Sequence, residues 1–166
     1  MEIKLDNLDF DYLRLIDENG EYQEYNLKDE LKINEANLLQ EMLQQPSKYI
    51  YWSSLLEKLK LYQESAELQL EIKWANLDEQ ARNYLKSVNV KPTKDSVEAY
   101  IKRQPEYEQA RKNVQYYEYT SARVARIVKA FEQRKDMLQS YGKQVAEDKL
   151  YGRGAGSQIE KNPFPQ

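Results

Sequence analysis

Residues 116–138, YYEYTSARVARIVKAFEQRKDML, decide the fold, because no Gly or Pro interrupts them and their apolar residues recur at helical spacing. The pattern continues in steps of three and four from about Glu106 to Leu150, which is the heptad seam of a coiled-coil-like helix, and Pro105 is expected to start that helix. This seam consists of Tyr107, Ala110, Val114, Tyr117, Ser121, Val124, Val128, Phe131, Lys135, Leu138, Gly142 and Val145.

The length of this helix predicts self-assembly. About 45 residues make a helix about 65 Å long, and one antiparallel partner helix cannot cover both of its semi-apolar sides. Further chains are therefore expected to pack against it. The residues that we expect to join chains in a homo-oligomer are Val124, Val128, Phe131, Leu138 and Val145.

The same helix carries a second stripe, basic and aromatic, about a third of a turn from the seam. Its members are Lys112, Tyr116, Tyr119, Arg123, Arg126, Ala130, Arg134, Met137 and Tyr141. Single-stranded nucleic acid binding needs this mixture, because cations neutralise phosphates while aromatic faces accept unstacked bases. The residues that we expect to contact DNA here are Lys112, Tyr116, Tyr119, Arg123, Arg126 and Arg134. The alternative is structural, because long helices also use Arg for interhelical ion pairs and Tyr to fill helix contacts.

The composition excludes several classes of protein. The chain has 166 residues and contains neither Cys nor His, so disulfides, thiolate metal sites and Ser-His or Cys-His catalysis are excluded. We expect no enzyme, no cofactor and no metal, with a carboxylate-dependent enzyme as the remaining catalytic hypothesis. No apolar run approaches the roughly 20 residues of a membrane-spanning helix, and the first residues do not resemble a signal peptide. We therefore expect a cytoplasmic protein that has no membrane contact.

Charge divides the chain into an acidic head and a mildly basic body. Residues 1–45 carry four Lys/Arg and twelve Asp/Glu, whereas residues 46–166 carry 21 Lys/Arg and 16 Asp/Glu. This division suits a body that meets an anion. The alternative is that the head and the body are only solvated surfaces and that neither meets a charged partner.

The first residues predict a small β-hairpin in front of the helices. β-Forming residues on both sides of the turn signal Glu18-Asn19-Gly20 predict a hairpin over about residues 10–27. We predict three segments: an acidic N-terminal hairpin segment (1–33), a helical DNA-binding and oligomerisation body (34–150) and a flexible tail (151–166). The predicted fold is mainly α, an elongated hairpin of coiled-coil-like long helices with a small N-terminal β-hairpin.

Three helices are expected between the hairpin and the last helix. Asn34 can cap a helix that Pro46 breaks or restarts, and a long helix then runs from about residue 47 to residue 87. The apolar seam of this long helix consists of Trp52, Leu55, Leu56, Leu59, Tyr62, Ala66, Leu70, Trp74, Leu77, Ala81, Leu85 and Val88. Thr93 or Asp95 can cap a short helix after it.

A second basic patch lies late in the first long helix. Arg82 and Lys86 share a helix face by their spacing of four residues, and both are candidate DNA contacts. A solvated helix end is the alternative.

Several local motifs follow one another in a recognisable order. They are a Tyr-x-x-Trp entry into a long charged helix (Tyr49, Trp52), an Ala-Arg pair with a nearby Tyr (Ala81, Arg82, Tyr84) and a short helix with Asp and Tyr (Asp95, Tyr100). A long amphipathic C-terminal helix comes after them. In these features the sequence from about Ala36 to Glu147 resembles the phage recombination mediator proteins of the T-even phage type.

The resemblance implies a non-enzymatic, ring-like homo-oligomer, a hexamer or heptamer, that binds single-stranded DNA. Such proteins load a RecA-like recombinase where a single-strand-binding protein already sits, which implies the host cell cytoplasm for a phage-encoded chain. Their DNA-contacting basic pair falls near the end of the first long helix. Arg82 matches one member, but Gln80 stands where a lysine is expected. Because of this departure, Lys86, or Arg123 and Arg126, become stronger candidates for the DNA contacts.

Two hypotheses of different class follow. The first is the recombination mediator. The second is a structural or scaffolding coiled-coil protein, a virion or assembly component, whose Arg and Tyr side chains serve only helix contacts. Salt-dependent binding to single-stranded DNA separates the two.

Overall fold

A computed structural model describes residues 11–16 and 22–151 of the chain. Its elements, in chain order, are β1 (Tyr12–Ile16), β2 (Tyr22–Asn26), α1 (Leu27–Leu31), a 3-10 turn (Glu35–Asn37), α2 (Leu38–Ser87), α3 (Lys94–Lys102) and α4 (Pro105–Tyr151). The predicted mainly α fold with long helices and a small N-terminal β-hairpin is confirmed. The hairpin turn at Glu18-Asn19-Gly20 and the predicted tail after Tyr151 lie outside the described residues.

The described residues group into two compact units. Those up to Tyr49 and those from Lys129 onwards form the first unit, and Ile50–Val128 forms the second. The division therefore falls inside the predicted helical body of residues 34–150, within both long helices. The hairpin groups with helical residues and does not form a unit of its own.

In the first unit, the hairpin leads directly into a helix. β1 and β2 pair antiparallel with Tyr12 opposite Asn26, and Leu13 is 2 % exposed because alternate strand residues share the covered face. Asn26 then caps α1, since its side-chain oxygen accepts hydrogen bonds from the backbone N–H groups of Lys28 and Asp29.

The start of α2 confirms one prediction and corrects another. The side chain of Asn34 accepts a hydrogen bond from the backbone N–H of Ala36 and caps the 3-10 turn that runs into α2. Pro46 was expected to break or restart the helix, but it lies inside α2, which continues through it. A proline within a helix costs about 3 kcal/mol or more, because it removes one backbone hydrogen bond and crowds the preceding turn. The neighbouring Gln45 holds this turn in place, since its buried amide donates to the carbonyl of Phe131 at 2.7 Å.

In the second unit, α2 packs antiparallel against α4. The ring centroids of Tyr62 and Tyr117 are 5.8 Å apart, and those of Trp74 and Tyr107, in the opposite order along the chain, are 5.5 Å apart. The predicted seam of α2 is buried or half-buried except at Val88, which is 47 % exposed. α3 completes a core that consists of Leu77, Ala81, Leu85, Val97 and Ile101.

Specific capping residues set the bounds of these helices. Asn89 takes a left-handed conformation, with φ of 56°, and its N–H donates to the carbonyl of Lys86 while the N–H of Val90 donates to Leu85. These two bonds form a Schellman motif, which ends α2. Thr93 caps α3, as one of the two predicted alternatives, through a capping box with Ser96. Pro105 occupies the first position of α4, where its missing N–H costs little.

The seam predicted on α4 faces the interior of the single chain. Every member is buried or half-buried except Lys135. The residues that we expected to join chains are buried (Val124, Val128, Phe131, Leu138) or half-buried (Val145). Since the same chain already covers them, another chain cannot reach the buried members without rearrangement, and oligomerisation through them stays a prediction.

Ile127 and Gly142 show how the buried side of α4 departs from a simple heptad pattern. Ile127 is 5 % exposed although the seam omits it. A strict heptad seam drifts by about 20° per heptad around a straight helix, which widens the buried side. At Gly142 a Cβ atom would lie 3.2 Å from Cε of Met42, so glycine permits the close approach of that side chain.

Candidate nucleic-acid interface

The exposed part of the basic and aromatic stripe lies on α4 in the second unit. We call it the Arg/Tyr row, and it consists of Lys112, Tyr116, Tyr119, Arg123 and Arg126. Alternating steps of four and three residues keep these side chains on one helix face. Lys112, Tyr119 and Arg126 are exposed, whereas Tyr116 and Arg123 are half-buried. The structure thus brings this part of the predicted site together on one accessible surface.

The cations of the row differ in how strongly the protein engages them. Nζ of Lys112 lies 2.6 Å from a carboxylate oxygen of Glu108, and this hydrogen bond lowers the pKa of Glu108 below its usual value. Within residues 11–16 and 22–151, Arg126 forms neither a hydrogen bond nor an ion pair. A phosphate must therefore compete with Glu108 for Lys112, but it meets no carboxylate partner at Arg126.

The tyrosines of the row present ring surface beside these cations. Tyr119 is 53 % exposed. The ring of Tyr116 meets the ring of Tyr117 edge to face, with centroids 5.3 Å apart and planes at 71°. Such an edge-to-face contact is a favourable aromatic geometry and fixes the ring of Tyr116. The row therefore offers two aromatic rings to an unstacked base, one exposed (Tyr119) and one held against a neighbouring ring (Tyr116).

Arg134, the last arginine of the predicted stripe, occupies a different environment. The prediction that it contacts DNA is therefore corrected. Arg134 is 3 % exposed and forms an ion pair with the half-buried Glu41 in the first unit. Its guanidinium also donates to the side-chain oxygen of Gln45, to the carbonyl of Leu31 at 3.2 Å and to the carbonyl of Lys32 at 3.1 Å. These partners occupy the N–H groups of the guanidinium, so Arg134 is not accessible to a phosphate in this structure.

The different periods of the two patterns on α4 explain why Arg134 is buried. The stripe takes two consecutive steps of four residues, from Arg126 to Ala130 and on to Arg134, and each step turns it by about 40° around the helix toward the seam. The strict heptad seam drifts by about 20° per heptad toward it. At Phe131 and Leu138 the two patterns have converged, and Arg134 falls on the covered side.

The ion pair with Arg134 also changes the protonation of Glu41. Burial alone raises the pKa of this carboxyl group, because it disfavours the charged form. The hydrogen bond from Arg134, a backbone hydrogen bond from Asn34 and the charges of Arg134 and Lys48 outweigh burial. The pKa of Glu41 is therefore lowered from its usual value, and the carboxylate stays ionised beside Arg134 at neutral pH.

The second predicted patch, Arg82 and Lys86, is separate from the Arg/Tyr row. Arg82 binds the carboxylate of Asp78 through two nitrogens, at 2.6 and 3.2 Å, and this hydrogen bonding lowers the pKa of Asp78. Lys86 is exposed and has no ion pair within the described part of the chain. The antiparallel pairing already reaches the start of α4 at Lys73, which binds Glu106 at 3.1 Å. Arg82 and Lys86 follow that point, so they lie beyond the row.

One surface that sequence reasoning missed is a line of exposed aliphatic side chains on α2, which we call the aliphatic face. In the second unit it consists of Ile50, Leu61, Leu68 and Ile72, which are 62, 62, 55 and 45 % exposed. Their spacings of eleven, seven and four residues place them within about 40° on one side of a helix. The sequence contains this signal, but the apolar seam on another side of α2 is the stronger pattern.

Neither a metal site nor a membrane span is found in the part of the chain that the structure describes. Within residues 11–16 and 22–151, no group of three or more acidic side chains is placed to hold a metal ion. None of the described helices combines the length and the apolar character that crossing a membrane requires.

No protein-family model matches the sequence, and no curated protein or solved structure is significantly similar to it.

Proposed function

We propose that this chain is a non-enzymatic protein that binds single-stranded DNA and acts as a recombination mediator. In this role it helps to load a RecA-like recombinase in place of a single-strand-binding protein. The observation that carries the proposal is the Arg/Tyr row, in which three cations and two tyrosine rings share one face of α4. The resemblance of the sequence to phage recombination mediators supports the recombinase and the single-strand-binding protein as partners.

The chemistry of the row favours a single strand over a duplex. Arg126 supplies a planar cation that can bind a phosphate with two hydrogen bonds. Tyr119 and Tyr116 supply ring faces, on which stacking is worth about 1–3 kcal/mol per base. A duplex hides its base faces, so it would use the cations of the row and leave the rings unused.

We also propose that the chain acts as a homo-oligomer, joined through the aliphatic face. The buried residues of the α4 seam are covered by their own chain, whereas Leu61 and Leu68 remain more than half exposed. Exposed aliphatic side chains that line up on one side of a helix suit an interface between proteins. Repeating the row on every subunit would strengthen DNA binding through avidity, without any new contact in a single chain.

The scaffolding hypothesis also has an observation in its favour. Arg82 and Lys112 already pair with acidic residues one turn earlier, at Asp78 and Glu108, as expected when cations serve only to stabilise helices. A scaffold would keep the aliphatic face for assembly but would not bind DNA.

A salt series with a fluorescent oligothymidine tests the two hypotheses. We expect the oligomer to bind at low salt, with a logarithm of affinity that falls by about 0.7 per contacted phosphate for each decade of salt. A duplex of the same length should bind more weakly because its bases are stacked. Absence of binding at low salt by a folded, assembled protein would overturn the mediator and favour the scaffold.

Light scattering tests the aliphatic face separately. Leu61→Gln combined with Leu68→Gln is expected to reduce the mass of the assembly to that of smaller species, because two exposed aliphatic contacts are lost at each interface. Val88→Gln, which alters an exposed aliphatic side chain outside the aliphatic face, is the matched control. An unchanged mass for the double variant would show that another surface joins the chains.

A further inference from the structure

A groove of about 720 Å³ lies between α2 and α4 in the second unit. Its lining residues are Tyr62, Ser65, Ala66, Gln69, Lys73, Pro105, Glu106, Gln109, Ala110, Asn113 and Tyr117. Binding sites for small organic molecules have volumes of about 300–1,000 Å³, so the space is sufficient for a single planar group. The small side chains of Ala66 and Ala110, on facing helices, leave this space open.

The groove is chemically unlike the aliphatic face on the same helix. It contains no Leu, Ile, Val, Met or Phe side chain. Aromatic rings come from Tyr62 and Tyr117, and amide groups come from Gln69, Gln109 and Asn113. A surface that accepts the helix of another protein is typically lined by aliphatic anchors. Rings beside amides instead suit a flat group that carries hydrogen-bonding edges, as a nucleobase does.

A line of tyrosine rings connects this groove to the Arg/Tyr row. The ring centroid of Tyr62 is 5.8 Å from that of Tyr117, which is 5.3 Å from that of Tyr116 in the row. Nζ of Lys58 lies 5.8 Å from the ring centroid of Tyr62 and places a cation at the same end of the groove. A strand that follows the row therefore passes directly beside the tyrosine end of the groove.

The charges within the groove favour a neutral group over a phosphate. Lys73 binds Glu106 at 3.1 Å, so the one lining cation is already neutralised by the one lining carboxylate. A phosphate placed between these residues would meet the carboxylate of Glu106. The charges of Lys73 and Glu106 cancel, which suits an uncharged base in the groove. The unpaired cation of Arg126 on the row suits the phosphate backbone of the strand, which stays outside the groove.

We propose that the groove takes one unpaired nucleobase from a single strand whose phosphates lie along the Arg/Tyr row, an inference that rests on the proposed function. The base stacks against Tyr62 or Tyr117, and its edge exchanges hydrogen bonds with the amides of Gln69, Gln109 or Asn113. Because each amide is both donor and acceptor, all four bases find partners. The groove therefore recognises the presence of a base more than its identity.

Filling the groove tests this proposal. Ala110→Leu places a larger side chain in the groove without a change in charge or helix propensity, and Ala125→Leu on the exposed surface of α4 is the matched control. We expect Ala110→Leu to weaken binding of oligothymidine by about 5- to 150-fold, the loss of one stacked base, with an unchanged salt slope. An oligomer of abasic deoxyribose phosphate should bind Ala110→Leu and wild type equally. Equal oligothymidine affinity for Ala110→Leu and wild type would overturn the proposal.

Photocrosslinking locates the base independently of any substitution. Oligothymidine that carries 5-iodouracil is irradiated on wild-type protein, and the adducts are mapped by mass spectrometry. Adducts at Tyr62 or Tyr117 support the groove. Adducts only at Tyr116 or Tyr119 overturn it and leave the proposed function standing, whereas absence of any oligonucleotide binding overturns both. If Ala110→Leu dissociates the assembly and also weakens binding of the abasic oligomer, the groove holds a second copy of the chain and the proposal fails.

Discussion

Arg126 and Arg134 belong to one stripe in the sequence but to opposite environments in the structure. Arg126 is exposed on the second unit without an ion pair or hydrogen bond to any described residue. Arg134 is 3 % exposed in the first unit, and its guanidinium is bound by Glu41, by Gln45 and by two backbone carbonyls. Both residues are arginines, so their difference in exposure comes from their position on α4. The buried side of α4 follows the seam, and it includes Arg134 but not Arg126. One arginine is available to a ligand, and the other stabilises the fold.

The largest expected effect comes from removing Arg134. Arg134→Ala removes the ion-pair partner of Glu41; breaking a buried pair from one side costs about 3–5 kcal/mol, and the lower end is expected here because Glu41 is only half-buried and keeps its hydrogen bond from Asn34. Arg126→Ala, its matched counterpart, should change stability by no more than about 0.5 kcal/mol, as an exposed substitution does. Urea unfolding monitored by circular dichroism measures both. Equal stability of the two variants would abolish the contrast between the two arginines.

Removal of two row cations should affect DNA binding and leave folding intact. Arg123→Gln with Arg126→Gln is expected to reduce the magnitude of the salt slope for oligothymidine by up to about 1.4, at about 0.7 per phosphate contact. Lys60→Gln with Arg111→Gln removes the same charge from exposed positions outside the row and serves as the control. If both pairs reduce the slope equally, binding depends on net charge and not on the row.

Loss of a tyrosine from the row should separate stacking from charge. Tyr119→Ala removes an exposed ring and is expected to weaken oligothymidine binding by about 1–3 kcal/mol, while the salt slope stays unchanged because stacking releases no counterions. Tyr22→Ala, at an exposed position of β2, is the control. A weaker salt slope in Tyr119→Ala would mean that the ring positions a cation and does not stack on a base.

Acid should weaken the first unit through Glu41. Since the pKa of Glu41 in the folded protein lies below the usual value of 4.5, the unfolded chain binds the proton first. The stabilising contribution is fully present above about pH 5 and is lost as the pH falls from about 4.5 through the lowered pKa. The stability difference between wild type and Glu41→Gln, measured by urea unfolding, should therefore shrink between pH 5 and low pH. A constant difference would show that the charge of Glu41 contributes nothing.

Local signals in the sequence predicted the bounds of the elements well. The cap at Asn34, the capping residue Thr93 and the start of α4 at Pro105 follow from short-range rules that tertiary structure rarely overrides. Pro46 was placed wrongly because tertiary contacts, among them the bond from the Gln45 amide to the Phe131 carbonyl, help to stabilise this turn, and no local rule contains them.

The site was predictable only in part, because the seam and the stripe follow different helical periods and converge along α4. Steps of three and four predicted a common helix face for the residues up to Arg126, but the burial of Arg134 depends on the cumulative rotation of the two patterns. The partners of Arg134, at Leu31 and Glu41, are also remote in sequence. The groove escaped prediction for a related reason, since Tyr62 and Tyr117 belong to the seams of two different helices and gain their common role only when those helices pair.

The bond from Arg134 to the carbonyl of Leu31 has a consequence for the order of events on the ribosome, because it joins residues 103 positions apart. At a synthesis rate of about 5–20 residues per second, the acceptor carbonyls precede their arginine by roughly 5–20 s. The second unit, Ile50–Val128, is continuous in sequence and has fully emerged before Arg134 leaves the exit tunnel. The nascent chain thus completes its candidate DNA-binding half first, and the half that contains the hairpin can form its bonds to Arg134 only after that residue has emerged.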